Sequence, residues 1–234
     1  MKKTIGILGG MGPLATADLF TKIVQMTQAG SDRDHIRIFV DDNTDIPDRT
    51  AAILRGGKDP VPEMTSAVRN LEACGADCII MPCNTAHYFL PRLQETTGTP
   101  FISMLEATAA ACARRFPGKT AGILATRGTL ETGLYTRALA AQGVRSMMPD
   151  EAGKDVLMRL IYDGVKGGAD LETLREPMEA LLEQMGLEGA DYFILGCTEL
   201  PIVRQTLNLK GCFIDPTAEL AKAAIEYCGC RVCA

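Results

Sequence analysis

Three short apolar words occur twice along the chain, in the same order and at nearly the same separation. Thr4-Ile5-Gly6-Ile7-Leu8 returns as Thr120-Ala121-Gly122-Ile123-Leu124. Gly75-Ala76-Asp77-Cys78-Ile79-Ile80-Met81-Pro82-Cys83 returns as Gly189-Ala190-Asp191-Tyr192-Phe193-Ile194-Leu195-Gly196-Cys197. Phe101-Ile102-Ser103 returns as Phe213-Ile214-Asp215. The spacings are 116 residues from Thr4 to Thr120, 114 from Cys83 to Cys197 and 112 from Phe101 to Phe213. Short buried strands resemble one another by chance, but a fixed order at a fixed spacing predicts two similar lobes.

The rest of the chain alternates in the same way. Strands are expected at 4–8, 36–40, 78–81, 101–104, 121–125, 144–148, 192–195 and 212–214. Between them, Leu19, Ile23 and Met26 share one face of a helix over 14–26, and Met64, Val68 and Leu71 one face over 62–73. Segments 156–162 and 171–185 also carry helical spacing. Short apolar runs alternating with helices predict an α/β fold of two lobes, each a mostly parallel sheet flanked by helices. The chain is 234 residues long, enough for a core that needs no disulfide or metal staple.

The repeat has a chemical consequence. Each copy sets a cysteine directly after a buried strand, Cys83 after Ile79-Ile80-Met81-Pro82 and Cys197 after Phe193-Ile194-Leu195-Gly196. Ligands of open parallel sheets bind outside the carboxyl ends of the strands. Two lobes related by a pseudo-twofold would bring both thiols to one inter-lobe cleft. Asn84 or Thr85 can cap the turn after Cys83. A thiol at a helix N-terminus should titrate below the free value of about 8.5. The second motif, Gly196-Cys197-Thr198-Glu199-Leu200-Pro201, has the same grammar: a glycine, a thiol, a hydroxyl and an acid.

Composition narrows the function. The formal net charge is −5, from 24 Lys+Arg against 29 Asp+Glu. No basic stripe marks a nucleic-acid binder, and no polybasic patch marks a membrane surface. No apolar run approaches the roughly 18 residues of a membrane span, and Met1 to Thr4 leads straight into a strand rather than a signal sequence. A cytoplasmic location is expected. With two histidines, His35 and His87, a three-His zinc site is excluded within one chain. No metal site is expected, and most of the nine cysteines should be buried or free thiols. At the C-terminus, Cys230 and Cys233 have zinc or redox spacing, but a frayed tail with incidental thiols is the simpler expectation. Gly10-Met11-Gly12-Pro13-Leu14-Ala15 fits a loose dinucleotide fingerprint, which Pro13 weakens.

The segments Gly9-Gly10-Met11-Gly12-Pro13, Pro82-Cys83-Asn84-Thr85, Ala125-Thr126-Arg127-Gly128-Thr129 and Gly196-Cys197-Thr198-Glu199-Leu200-Pro201 together resemble the cofactor-independent aspartate/glutamate racemases, and the aspartate racemase branch in particular. The resemblance runs over nearly the whole chain in the right order. It implies a two-base reaction on an acidic amino acid, aspartate before glutamate, in which one of Cys83 and Cys197 removes the α-proton and the other returns a proton to the opposite face. Identical groups on opposite sides suit an inversion whose roles exchange on reversal. By the same resemblance Arg49 and Lys166 bind substrate carboxylate, Asn84, Thr85, Thr126, Thr129 and Thr198 donate hydrogen bonds, and Met11 lies at the mouth of the site. Cys83 is implied to serve the D form and Cys197 the L form. No cofactor is implied, PLP included.

The resemblance further implies swapped lobes, 1–99 plus 210–234 carrying Cys83 and 100–209 carrying Cys197, with the strand near Phe101 joining the second. It also implies a homodimer. Glu199 stands where the glutamate racemases of cell-wall synthesis usually carry histidine, and Gly9-Gly10-Met11 lacks their aspartate, which favours the aspartate-type branch. His87, one turn beyond Cys83, is read as a packing or capping residue. Rival readings are a related two-cysteine isomerase such as hydantoin racemase, a nucleotide-binding oxidoreductase, and a non-catalytic sensor of small anions.

Overall fold

The structure is a computed structural model that describes residues 2–233; Met1 and Ala234 lie outside the described residues. The chain divides into two compact units, Met1–Ala107 with Thr217–Ala234, and Thr108–Pro216.

The first unit contains β1 (Ile5–Leu8), α1 (Pro13–Met26), β2 (Ile38–Asp41), α2 (Arg49–Leu54), α3 (Val61–Ala73), β3 (Cys78–Ile80), α4 (Leu90–Gln94) and β4 (Phe101–Ile102). Its four strands are all parallel, in the order β2-β1-β3-β4. Register pairs Ile5 with Ile38 on one side and with Cys78 on the other. Successive side chains point to opposite faces of a strand. Ile5, Ile7, Cys78 and Ile80 therefore meet Leu19 and Ile23 of α1, while Ile79 and Met81 meet Met64, Val68 and Leu71 of α3. A sheet covered on both faces has no polar side to reveal, which is why its strands read as continuous apolar runs.

α5 (Met104–Arg115) leads into the second unit, with β5 (Thr120–Ala125), α6 (Arg127–Glu131), α7 (Leu134–Ala141), β6 (Arg145–Met147), α8 (Glu151–Met158), α9 (Arg175–Leu187), β7 (Tyr192–Gly196), α10 (Leu200–Thr206) and β8 (Phe213–Ile214). Its strand order, β6-β5-β7-β8, repeats that of the first sheet element for element. The helix expected over 156–162 is the end of α8 running on as a π-helical segment, Arg159–Lys166. The one expected over 171–185 opens as a 3-10 turn, Leu171–Leu174, before α9.

The expected strand swap does not occur. β4 pairs with β3 in its own sheet, and β8 pairs with β7. The return to β4 is pinned beside α3: Glu72 accepts from the Thr97 and Thr99 hydroxyls, Gln94 donates to the Thr97 and Thr99 carbonyls, and Phe101 N donates to Gln94 Oε1. The units instead exchange chain later, within helices, at 107/108 and 216/217 rather than at 99/100 and 209/210. α11 (Pro216–Tyr227) returns the chain and places Leu220, Ala221, Ala224 and Ile225 in the same cluster as Ile5 and Ile7.

Nor is the C-terminal tail frayed. Val232 bridges Thr27 in antiparallel fashion, Gln28 N donates to Arg231 O at 2.8 Å, and Cys233 N to Met26 O at 2.7 Å. Among the described residues no helix is long and apolar enough to cross a membrane, and no three His, Cys, Asp or Glu side chains are grouped as metal ligands.

Ile225 is fully buried between α11 and the first sheet. Truncation to Ala leaves a cavity that the surroundings refill only in part, so Ile225→Ala should cost about 2–5 kcal/mol. The urea unfolding midpoint of the variant measures it.

Candidate active site

Both cysteines singled out in the sequence lie just past the carboxyl end of the third strand of a sheet, and both are buried. In the first unit the ladder stops at Ile80, as Pro82 has no N–H to extend it. Cys83 N then turns back on Met81 O at 2.8 Å, and Thr85–Phe89 form a 3-10 turn rather than the expected cap of a full helix. Asn84 opens that turn without a side-chain cap bond, and Asn84 and Thr85 are both buried.

His87 lies under this turn. Its Nδ1 donates to Cys83 O at 2.8 Å and its Nε2 accepts from Met104 N at 3.0 Å. The imidazole joins the thiol-bearing turn to the start of α5 through backbone, with both ring nitrogens bonded to main-chain atoms. Burial drives its pKa down to about 4, which keeps it neutral. It is thus the packing residue expected.

Arg49 is the first residue of α2, whose cap is Asp48 accepting from Ala51 N at 2.7 Å. The guanidinium is buried and committed to backbone: Nη1 donates to Ile46 O and Pro47 O, and Nη2 to Met11 O at 3.0 Å. Its Nε has no hydrogen-bond partner. A buried, rigid guanidinium with an N–H to spare suits a small anion. Met11 enters this arrangement by its carbonyl, since its side chain is packed in the core with Cys83. The loop before it requires glycine at position 10: φ is +85°, and a Cβ there would lie 2.1 Å from Asn43 O.

In the second unit Cys197 follows β7 directly. Gly196 precedes it because a Cβ would meet Leu124 O and the Tyr135 ring, each at 3.0 Å. Cys197 Sγ donates to Glu199 Oε2 at 2.9 Å, and Thr198 Oγ1 donates to the same oxygen at 3.0 Å. Lys166, at the end of the π-helical segment, sets its Nζ 3.5 Å from Glu199 Oε1 and 4.8 Å from the centre of the Tyr162 ring. Thr126 caps α6 by accepting from Thr129 N, and the two hydroxyls are 3.2 Å apart.

The expectation of an acidified thiol is reversed at Cys197. Burial, followed by the Glu199 charge and hydrogen bond, pushes it well above its ordinary value, and Lys166 offsets only part of this. A short helix start gives less than desolvation beside a carboxylate takes away. Glu199 is the residue that sequence reasoning noted for its type but did not place in the site. Its i+2 spacing from Cys197, in a motif already singled out, was the signal. Thus Cys83, Asn84, Thr85, Arg49 and the Met11 carbonyl belong to the first unit, and Thr126, Thr129, Lys166, Cys197, Thr198 and Glu199 to the second.

A profile of the family described as Asp/Glu/hydantoin racemase matches residues 8–224. The chain belongs to this family of isomerases. Among solved structures, it is similar to the aspartate racemase of Picrophilus torridus, with a TM-score of 0.83 and 32% identity over 99% of this chain and 96% of that one. It is also similar to the broad-specificity amino-acid racemase RacX of Bacillus subtilis (strain 168), 28% identical over 95% of this chain and 96% of that protein. A glutamate racemase of Desulforudis audaxviator is 30% identical over a shorter span, 64% of this chain and 55% of that protein.

His87 gives the fold a pH dependence of definite sign. Free histidine titrates near 6.5, so between about 6.5 and about 4 the unfolded chain binds a proton that the folded one excludes. The contribution of His87 is complete above pH 6.5 and falls away by about 3 kcal/mol as pH drops to 4. Urea midpoints of the wild type should decline across that window more steeply than those of His87→Gln.

Proposed function

We propose that the chain interconverts the enantiomers of an acidic amino acid, aspartate ahead of glutamate, with Cys83 and Cys197 as the two proton-transfer groups and without a cofactor. The observation that carries this reading is the recurrence of one arrangement in both units: a buried cysteine directly beyond the third strand of a four-stranded parallel sheet, followed by hydroxyl or amide side chains. The name of the Picrophilus torridus relative supports aspartate, and that of RacX supports a wider range.

The chemistry balances with these groups alone. A thiolate on one side of the substrate takes the α-proton, and the electron pair left on Cα is delocalised into the α-carboxylate. The thiol on the other side gives its proton to the opposite face. The enzyme ends with thiol and thiolate exchanged, ready for the product enantiomer. The α-proton is a very weak acid, so charge developing on the carboxylate needs fixed donors. Thr85, Asn84, Thr126, Thr129 and Thr198 supply neutral ones. Arg49 and Lys166 supply cations for a dicarboxylate, which a neutral hydantoin ring would not need.

Reduced protein incubated in D₂O with L-aspartate, and separately with L-glutamate, should place deuterium at Cα with inversion, as seen by chiral chromatography and mass spectrometry. Cys83→Ala and Cys197→Ala should each lower racemisation by about 10²–10⁴-fold, the range of general acid–base catalysis. Absence of exchange with either acid in the wild type overturns the reading. So does a cysteine variant that keeps its rate.

A further inference from the structure

The two thiols do not stand in equal surroundings. Two residues beyond Cys83 is Thr85; two residues beyond Cys197 is Glu199. The Glu199 side chain is only 9% exposed, yet both its oxygens are engaged, Oε2 by the Cys197 sulfur and the Thr198 hydroxyl, and Oε1 by Lys166. With Lys166 paired to Oε1, Oε2 accepts and the sulfur holds the proton that is shared. A thiolate in this place would set two anions 2.9 Å apart in a buried site. At Cys83 the nearby ionisable ring, His87, bonds the carbonyl instead of the sulfur.

We infer that Glu199 is a positioning residue that holds Cys197 in its protonated form, making Cys197 the acid and Cys83 the base of the resting enzyme. This rests on the two-thiol reading above. The ionisable groups around Cys197 are Glu199, Lys166 from the π-helical segment and Tyr135 from α7. Burial raises the Tyr135 phenol far above its ordinary value, with Cys112 and Asp215 adding to this, so it brings no charge. Glu199 is therefore the anion that decides.

The two enantiomers have equal free energies, so kcat/KM is the same in both directions at every pH. Inequality between the thiols cannot show as a directional preference there. It shows in the pH profile. The working state holds one thiolate and one thiol, and the alkaline limb marks loss of the remaining thiol proton. Glu199 pushes that limb upward.

Glu199→Gln keeps the size and removes the charge. The test follows iodoacetamide modification of Cys197 and Cys83 against pH, resolved by peptide mass spectrometry, together with kcat/KM for aspartate in both directions. In the variant the Cys197 midpoint should move down by about one pH unit, so that its modification rate at fixed neutral pH rises about tenfold. The Cys83 midpoint should stay in place, and the alkaline limb should fall with that of Cys197. Glu199→Asp, which draws the carboxylate back from sulfur, should give a smaller downward move and decides the matter if the Gln variant does not fold. A Cys197 midpoint that is unchanged or raised overturns the inference. The labelling arm needs no turnover: a wild type that fails to racemise defeats the functional reading, while the Cys197 midpoint still judges Glu199 alone.

Discussion

The site depends on one constraint, the parallel direction of every strand within each sheet. Parallel strands joined by helical crossovers bring all their carboxyl ends to the same edge. In the first unit this gathers the Gly9–Gly12 loop after β1, Asp42 after β2 and Cys83 after β3. In the second it gathers Thr126 after β5 and Cys197 after β7. An antiparallel pairing anywhere among the central strands would send one of these loops to the far end.

Much of this was legible in the sequence, and for a definite reason. Strands buried on both faces demand unbroken apolar runs, so the central strands β1, β3, β5 and β7 stood out from their neighbours, and the repeat declared their common order. The helices were less plain. α5, with Ala107, Ala109, Ala110 and Ala111, and α11, with Ala218, Ala221, Ala223 and Ala224, carry so much alanine that their apolar stripe has little contrast. The strand exchange, carried over from resemblance, failed on a hydrogen-bonded loop. No short-range pattern announces that Glu72 on α3 will hold Thr97 and Thr99.

The candidate residues show the same division. Residue type and spacing singled out Cys83 and Cys197, and the family resemblance added Arg49 and Lys166. Their electrostatics were not readable, because they depend on burial and on what lies opposite. The dipole argument made both thiols acidic, whereas in the fold Cys197 is sealed from water against an anion. Arg49 opens α2 and is buried with three N–H bonds to backbone carbonyls. An arginine fixed in this way has lost its side-chain freedom during folding rather than during capture of an anion.

The return of the chain through α11 also bears on the order of synthesis. Residues 108–216 are continuous and can pack as soon as they emerge from the ribosome. The first 107 residues cannot close their core by themselves, since the face of β1 carrying Ile5 and Ile7 waits for Leu220, Ala224 and Ile225. The half made earliest is therefore completed last, and until then a strip of nascent sheet stays open to water and to whatever chaperone the cell keeps there.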